Sequence, residues 1–426
     1  MIKDKFKKYI IDISKRNVLI RKLLRKVLNI KNKLYFKIHS IGIKTDENTI
    51  IFGCFNGRSY CDSPKALYKY ILADEKFNDF NYIWIFKEPE KHKYLEENKN
   101  TTVISAKGKK YVKAMAKAKY WIFNYKIPDY LYPKKDQVFV QCWHGTPLKR
   151  LGCDLKKFDN AMNSLYEMKK RYNEETRKIS YFLSPSKFAT EKFISIWNMK
   201  ENKKENCIVE LGYPRNDFLY NYTKEDEKNI KEKLGISKLD KKIILYAPTY
   251  RDNQHTSGVG YTYKTEVNFD KLKEELSEEY IILFRSHWLV ANLFDFDKYK
   301  GFVYNVSDYD DIDELYIISD LLITDYSSVF FDYANLKRPM LFYMYDIDDY
   351  KGNLRDFYIS LDELPGPIAK TQDELENNLK NIDKEFKKNK EKYEKFNEKY
   401  NYLDDGNASE RVIKVIFKEM FKWKES

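Results

Sequence analysis

The 426-residue sequence is poor in cysteine and histidine, with five of each. The cysteines, Cys54, Cys61, Cys142, Cys153 and Cys207, are odd in number, form no CxxC and follow no signal peptide. A disulfide framework is therefore not expected, and a reducing compartment is. No uninterrupted apolar run approaches the roughly 20 residues that cross a bilayer, so no transmembrane helix is expected. Zinc-type Cys/His spacing, a Walker A loop and a GxGxxG turn are all missing, which removes the usual metal, ATP and NAD routes. The acidic run "SDYDDIDE" lacks the sixth-position Gly of a calcium loop and reads instead as the first turn of a helix.

What is present argues for an ordered protein. Hydrophobic residues make up 43% and aromatics 16%, enough for sizeable cores in two domains. The formal charge of +13 is local. Residues 1–40 hold 13 of the 78 Lys and Arg but only two of the 65 Asp and Glu. The remaining residues are nearly neutral, which disfavours a nucleic-acid groove across the body.

In that basic head, Phe6, Ile10, Ile13, Ile20, Leu24, Val27 and Leu34 recur at steps of three, four or seven. Wound as a helix they form one stripe, with Lys7, Lys15, Lys22, Lys26 and Lys33 elsewhere on the barrel. Such a helix suits an anionic membrane surface. A helix packed on its own body, with solvated charges, is the alternative.

From residue 48 short apolar runs alternate with helical stretches. "TIIFGC", "YIWIF", "TTVIS", "YWIFN", "VFVQCW", "SYFLSP" and "CIVELG" predict strands, and "SPKALYKYILADE" and "KKYVKAMAKA" predict helices. "GYPRNDFLYNYTKEDEKN" interrupts the rhythm as a hinge. "KKIILYAPTY", "EYIILFRSH", "GFVYNV", "DLLITDYSS" and "PMLFYMY" then restart it, and a long Lys/Glu-rich helix over "TQDELENNLKNIDKEFKKNKEKYEKF" precedes "DGNASERVIKVIFKEMFKW". The expected α/β fold is two parallel-sheet, Rossmann-like domains facing across a cleft. The expected boundaries are a membrane-association segment (1–40), an acceptor domain (41–215), a donor domain (216–400) and a C-terminal helix (401–426), with packing back across the cleft as one placement for the last.

Parallel sheets bind ligands beyond the carboxyl ends of their strands. His144 follows "VFVQCW", Pro248 and Thr249 follow "IILYA", Arg285 and His287 follow "IILF", and Asp325 to Ser328 follow "LLIT". His144 suits a general base, because its free pKa lies near 6.5 and "HGTP" supplies a turn that keeps the ring out of the core. Arg285 and His287, two apart on an extended run, suit a diphosphate clamp. Ser327 and Ser328 at a helix start suit a phosphate, and the alternative is that Asp325 or Ser327 is simply an N-cap. Thr249 and Arg251 are further candidate nucleotide contacts.

Taken together, "NGRSYCDSPKALYKYI", "QCWHGTPLKRLGCD", "YFLSPSKFATEKF", "LGYPRNDFL", "ILYAPTYRD", "LFRSH", "DELYIISDLLITDYSSVFFDY", "RPMLFYMYDIDDY" and "DGNASERV" resemble the CDP-glycerol glycerophosphotransferase family. These enzymes prime or polymerise wall teichoic acid and related polymers. The resemblance covers most of residues 48–415 and implies a GT-B-like fold, a CDP-linked donor and release of CMP. It implies a catalytic pair, His144 and His287, with His144 deprotonating the acceptor. Arg285, Ser286, Ser327, Ser328 and Asp332 fall on the phosphate and glycerol side of the donor site, Pro248 and Thr249 on the nucleotide side, and Arg215 lines the cleft. Gly145, Thr146, Pro147 and Leu148 form the acceptor-side loop.

The implied reaction moves glycerol phosphate from CDP-glycerol to an undecaprenyl-diphosphate-linked glycan or growing polyol-phosphate polymer. It takes place peripherally at the cytoplasmic face of the cell membrane, with no cofactor and no nucleic acid. Two features depart from the polymerases of the family. Arg355 is followed by Asp356 where those enzymes often carry an Arg-Gly pair, and the basic head is short, which fits a primase or short-chain enzyme. Transfer of ribitol phosphate or a sugar is the alternative within this fold, and an inactive membrane-associated scaffold is the alternative outside enzymes.

Overall fold

The computed structural model describes residues 17–156, 164–249, 255–256, 260–261, 267–286, 294–347 and 356–421. Phe6, Ile10, Ile13, Arg251, His287 and Arg355 lie outside them.

The first sheet comprises β1 (Asp46–Gly53), β2 (Asn81–Phe86), β3 (Thr101–Ser105), β4 (Ala118–Phe123), β5 (Val138–Gln141), β6 (Tyr181–Ser184) and β7 (Ile208–Glu210). Its order is β3-β2-β1-β4-β5-β6-β7, and every pairing is parallel. The second contains β8 (Lys242–Ala247), β11 (Tyr280–Phe284), β12 (Val303–Asn305), β13 (Leu321–Thr324), β14 (Met340–Tyr343) and β15 (Ile368–Ala369), in the order β12-β11-β8-β13-β14-β15 and again parallel throughout. A separate two-stranded hairpin pairs β9 (His255–Thr256) with β10 (Gly260–Tyr261).

Counted from each sheet's first strand, both follow the 3-2-1-4-5 order of doubly wound nucleotide-binding folds. β11, β13 and β14 are buried along their whole lengths, as strands covered by helices on both faces must be. Each sheet therefore opens a crevice where its strand order reverses, between β1 and β4 and between β8 and β13.

The connection between the sheets is not open coil. Pro214–Asn216 forms a short 3-10 turn followed by a helix over Asp217–Asn221, and Arg215 and Asn216 are buried. After the second sheet the chain returns. The helix Ala408–Ile416 places Val412, Ile413, Ile416 and Phe417 in one core with β1, β2 and the helix Asp62–Ala73.

Two expectations change at their ends. The strand read through Trp143 stops at Gln141, because Trp143 adopts a left-handed backbone, φ 50°. The single charged helix predicted over the tail is three: Gln372–Lys380, Ile382–Lys388 and Lys390–Tyr400. Asn381 and Asn389 stand at the breaks, and their side-chain amides donate to the Asn377 and Glu385 carbonyls at 2.9 and 2.8 Å. Asparagine competes in this way with backbone pairing.

The head is helical from Val18 to Ser40, capped by Asn17, whose side-chain Oδ1 accepts from the Leu19 and Ile20 amides. One side docks on the body through Arg21 and Arg25, which reach Glu167 at 3.4 and 3.2 Å. The other leaves Leu19, Leu23, Val27, Leu34 and Ile38 between 54% and 77% exposed. The uncovered row thus runs through Leu23 rather than Leu24, which is half-buried. Among the described residues no helix is long and apolar enough to cross a membrane.

Candidate active site

β4 and β5 deliver His144. Gln141, the last residue of β5, is buried; its side chain accepts from the Trp143 amide at 3.0 Å and donates to the Tyr125 carbonyl at 3.1 Å. That brace holds Trp143 in its left-handed turn, a conformation a bulky residue adopts only where packing compels it. The indole goes down onto Trp197, centroids 5.2 Å apart, and the next residue is turned up into the cleft.

The His144 ring is reached by solvent from the cleft but walled by protein beneath. Its Nδ1 lies 2.6 Å from the Asn124 carbonyl just past β4. A carbonyl only accepts, so Nδ1 carries the hydrogen and Nε2 carries the lone pair. Burial pushes the imidazole below its ordinary pKa; the Asn124 hydrogen bond and Asp62 oppose this, while Arg215 and Lys126 reinforce it. Lys126 itself is pushed down to about 7, chiefly by burial, with its Nζ 3.6 Å from the Tyr172 ring centre.

The facing wall comes from β8 and β13. Asp325 Oδ1 accepts from the Thr249 amide at 2.8 Å and from the Tyr326 amide at 2.5 Å, tying together the loops that leave the two strands. Ser327 and Ser328 follow, half-buried, at the start of the helix Val329–Tyr333.

One cavity of about 470 Å³ collects His144, Gly145, Thr146, Pro147 and Leu148 from the first lobe with Pro248, Thr249, Tyr326, Ser327 and Ser328 from the second. The approach is close. A β-carbon on Gly145 would stand 2.7 Å from Ser328 Oγ, so a larger residue there would oblige that hydroxyl to turn away. Leu148 goes further and packs in the core of the second lobe, and its carbonyl accepts from the Tyr358 amide at 2.9 Å.

Other candidates lie apart from this cavity. Arg215 and Asp332 form a buried pair beneath it, with Nη2 to Oδ1 at 2.9 Å, and Asp62 stands 3.6 Å from Nη1. Arg285 and Ser286 line a separate interlobe cavity of about 1140 Å³. There Arg285 Nη1 donates to the Val306 and Tyr309 carbonyls at 3.0 and 2.6 Å. The same cavity holds Lys65, which crosses between the lobes to Asp311 at 2.6 Å and Glu314 at 2.8 Å.

Sequence reasoning missed Asn124, Lys126, Tyr172 and Asp62 beside His144. Only Asn124, ending a strand next to the one that carries His144, left a trace in the pattern.

Comparison with known proteins agrees with this architecture. The family model CDP-glycerol:poly(glycerophosphate) glycerophosphotransferase matches residues 34–418. A teichoic acid poly(glycerol phosphate) polymerase of Staphylococcus epidermidis is 39% identical over 94% of this chain, which spans only 55% of that protein's length. A Bacillus spizizenii protein of the same description is 37% identical, with 93% of this chain and 99% of the relative covered. A histidine-to-asparagine variant of the wall teichoic acid polymerase TagF soaked with CDPG superposes with a TM-score of 0.83 at 37% identity, covering 94% of this chain and 98% of that one. With these matches running through both lobes and the cleft between them, the chain belongs to the CDP-glycerol:poly(glycerophosphate) glycerophosphotransferase family.

Proposed function

We propose that the protein transfers glycerol phosphate from CDP-glycerol to a hydroxyl of a membrane lipid-linked acceptor, releasing CMP, in the synthesis of teichoic acid or a related surface polymer. The observation that carries this reading is the meeting of His144, its lone-pair nitrogen free of the Asn124 carbonyl, with Ser327 and Ser328 across one cleft.

The acceptor hydroxyl gives its proton to His144 Nε2 as its oxygen attacks the glycerol-bearing phosphorus. The bond to the bridging oxygen breaks, and CMP leaves with the electron pair. Hydroxyls and amides at Ser327 and Ser328 stabilise the phosphoryl oxygens, where in-line transfer gathers charge. Pro248 and Thr249 take the nucleotide side. His287, directly after Ser286 in the sequence, acts on the donor diphosphate. Arg285, held by two carbonyls, stays braced just past the end of β11. Arg215 and Asp332 position the lobes beneath the cleft.

The exposed row of the Val18–Ser40 helix enters the lipid interface, with its lysines at headgroup level. This holds the enzyme peripherally at the cytoplasmic face, where an undecaprenyl-diphosphate-linked glycan or growing polymer presents its end.

The test is CMP release from CDP-glycerol with lipid-linked acceptors, with product masses identifying the unit transferred. His144→Ala should lose at least about a hundredfold in turnover, the usual contribution of a positioned base. Near-normal turnover by that variant would remove His144 from the chemistry.

A further inference from the structure

Where the Val18–Ser40 helix meets the helix Leu165–Thr176 there is a groove of about 670 Å³, outside the cleft of His144. Six basic and three acidic side chains line it. Part of that charge is internally matched: Arg25 meets Glu167 at 3.2 Å and Arg171 meets Asp129 at 4.0 Å. Lys22, Lys26, Lys33 and Lys170 make no ion pair among the described residues and are exposed. Lys22, Lys26 and Lys33 are four and seven apart, so they form one row along the helix. That row lies beside the exposed apolar row of Leu23, Val27 and Leu34, one residue further on in each case.

We infer that this groove binds the phosphodiester chain of the acceptor, holding a polyol-phosphate polyanion between the membrane and the cleft. The inference rests on the transfer reaction proposed above and adds a second subsite to it. Diffuse attraction to lipid headgroups needs only an exposed basic face. Here the basic row faces a walled trough, with Lys170 and Tyr166 on the opposite side. The far wall is also the helix that supplies Tyr172 to the cavity of His144. From Tyr166 to Tyr172 that helix rises about 9 Å. A chain whose terminal hydroxyl stands at His144 therefore has a short path to the lysines, and their unmatched charge meets successive phosphates as it leaves toward the lipid.

The experiment measures binding without turnover. A defined glycerol phosphate oligomer bearing no lipid is titrated into the full chain, into Lys22→Gln/Lys26→Gln and into Lys170→Glu. Phosphatidylglycerol vesicles are titrated in parallel. The groove predicts that oligomer affinity drops about tenfold in both variants, the equivalent of about 1.4 kcal/mol, and weakens with added salt in the wild type. Oligomer affinity unchanged in either variant overturns the inference, and so does a loss confined to vesicles, which would make the lysines headgroup contacts alone. The altered lysines are exposed, and an unchanged melting temperature establishes that each variant is folded. Because no chemistry is read, a chain that failed to release CMP could still bind the oligomer here, and an active one could still lack the groove.

Discussion

At His144 two local facts combine into a pH prediction. The Asn124 carbonyl fixes which nitrogen holds the hydrogen, and burial lowers the pKa. A base works in its neutral form, so a lowered pKa keeps it competent to more acidic pH. The acid limb of kcat/KM should therefore fall below the ordinary histidine value of about 6.5. A limb centred above that value would mean that the imidazole is not the titrating base. Lys126→Met removes one of the positive charges that hold the pKa down, so it should move the limb upward, which a pH profile of the variant reads directly. The histidine was legible because it is scarce and because "HGTP" follows an apolar run. Lys126 was not: among 78 Lys and Arg nothing local distinguishes it, and its burial arises only when Tyr172, 46 positions later, covers it.

Among the elements, strands with long apolar runs were read within about three residues at their ends, β1 starting at Asp46 rather than Thr49, whereas the two-residue β15 carries too little pattern to register. The strand end at Gln141 and the breaks at Asn381 and Asn389 depend on side-chain to backbone bonds that hydrophobic periodicity does not encode. Periodicity did reveal the helical head, but which row stays uncovered depends on how it docks, with Arg21 and Arg25 on Glu167 and Phe36 against the first-lobe core. That row yields a prediction at this scale. Replacing Leu23, Val27 and Leu34 with serine should lower affinity for anionic vesicles at least about a hundredfold, since a fully buried leucine contributes about 1.5–3 kcal/mol. The melting temperature should hardly move, because these side chains are already exposed in the folded protein. Vesicle binding that survives the triple change would place the membrane contact elsewhere.

For the molecule as a whole, function requires two lobes to keep one spacing, since a β-carbon on Gly145 would already press on Ser328 Oγ. Alternating strands and helices announced two lobes, but their mutual placement rests on contacts, apolar and polar, between distant parts of the chain. Arg215 is central among these: it joins Asp332 of the second lobe and Asp62 of the first, all three buried, while Asn216 beside it donates to Asp404 at 2.6 Å. Removing the cation from such a cluster leaves two carboxylates without their compensating charge, and breaking a buried pair in this way costs about 3–5 kcal/mol. Arg215→Ala should therefore lower the denaturant midpoint strongly. Adding Asp332→Leu to Arg215→Met should recover part of the loss, because the two positions then pack as apolar neighbours. If the pair acts by setting the cleft, the rebuilt double variant regains stability without regaining CMP release. Recovery of both together would assign Arg215 and Asp332 to stability alone, and a loss below about 1 kcal/mol in Arg215→Ala would show that the lobes are held by Lys65 and the returning C-terminal helix instead.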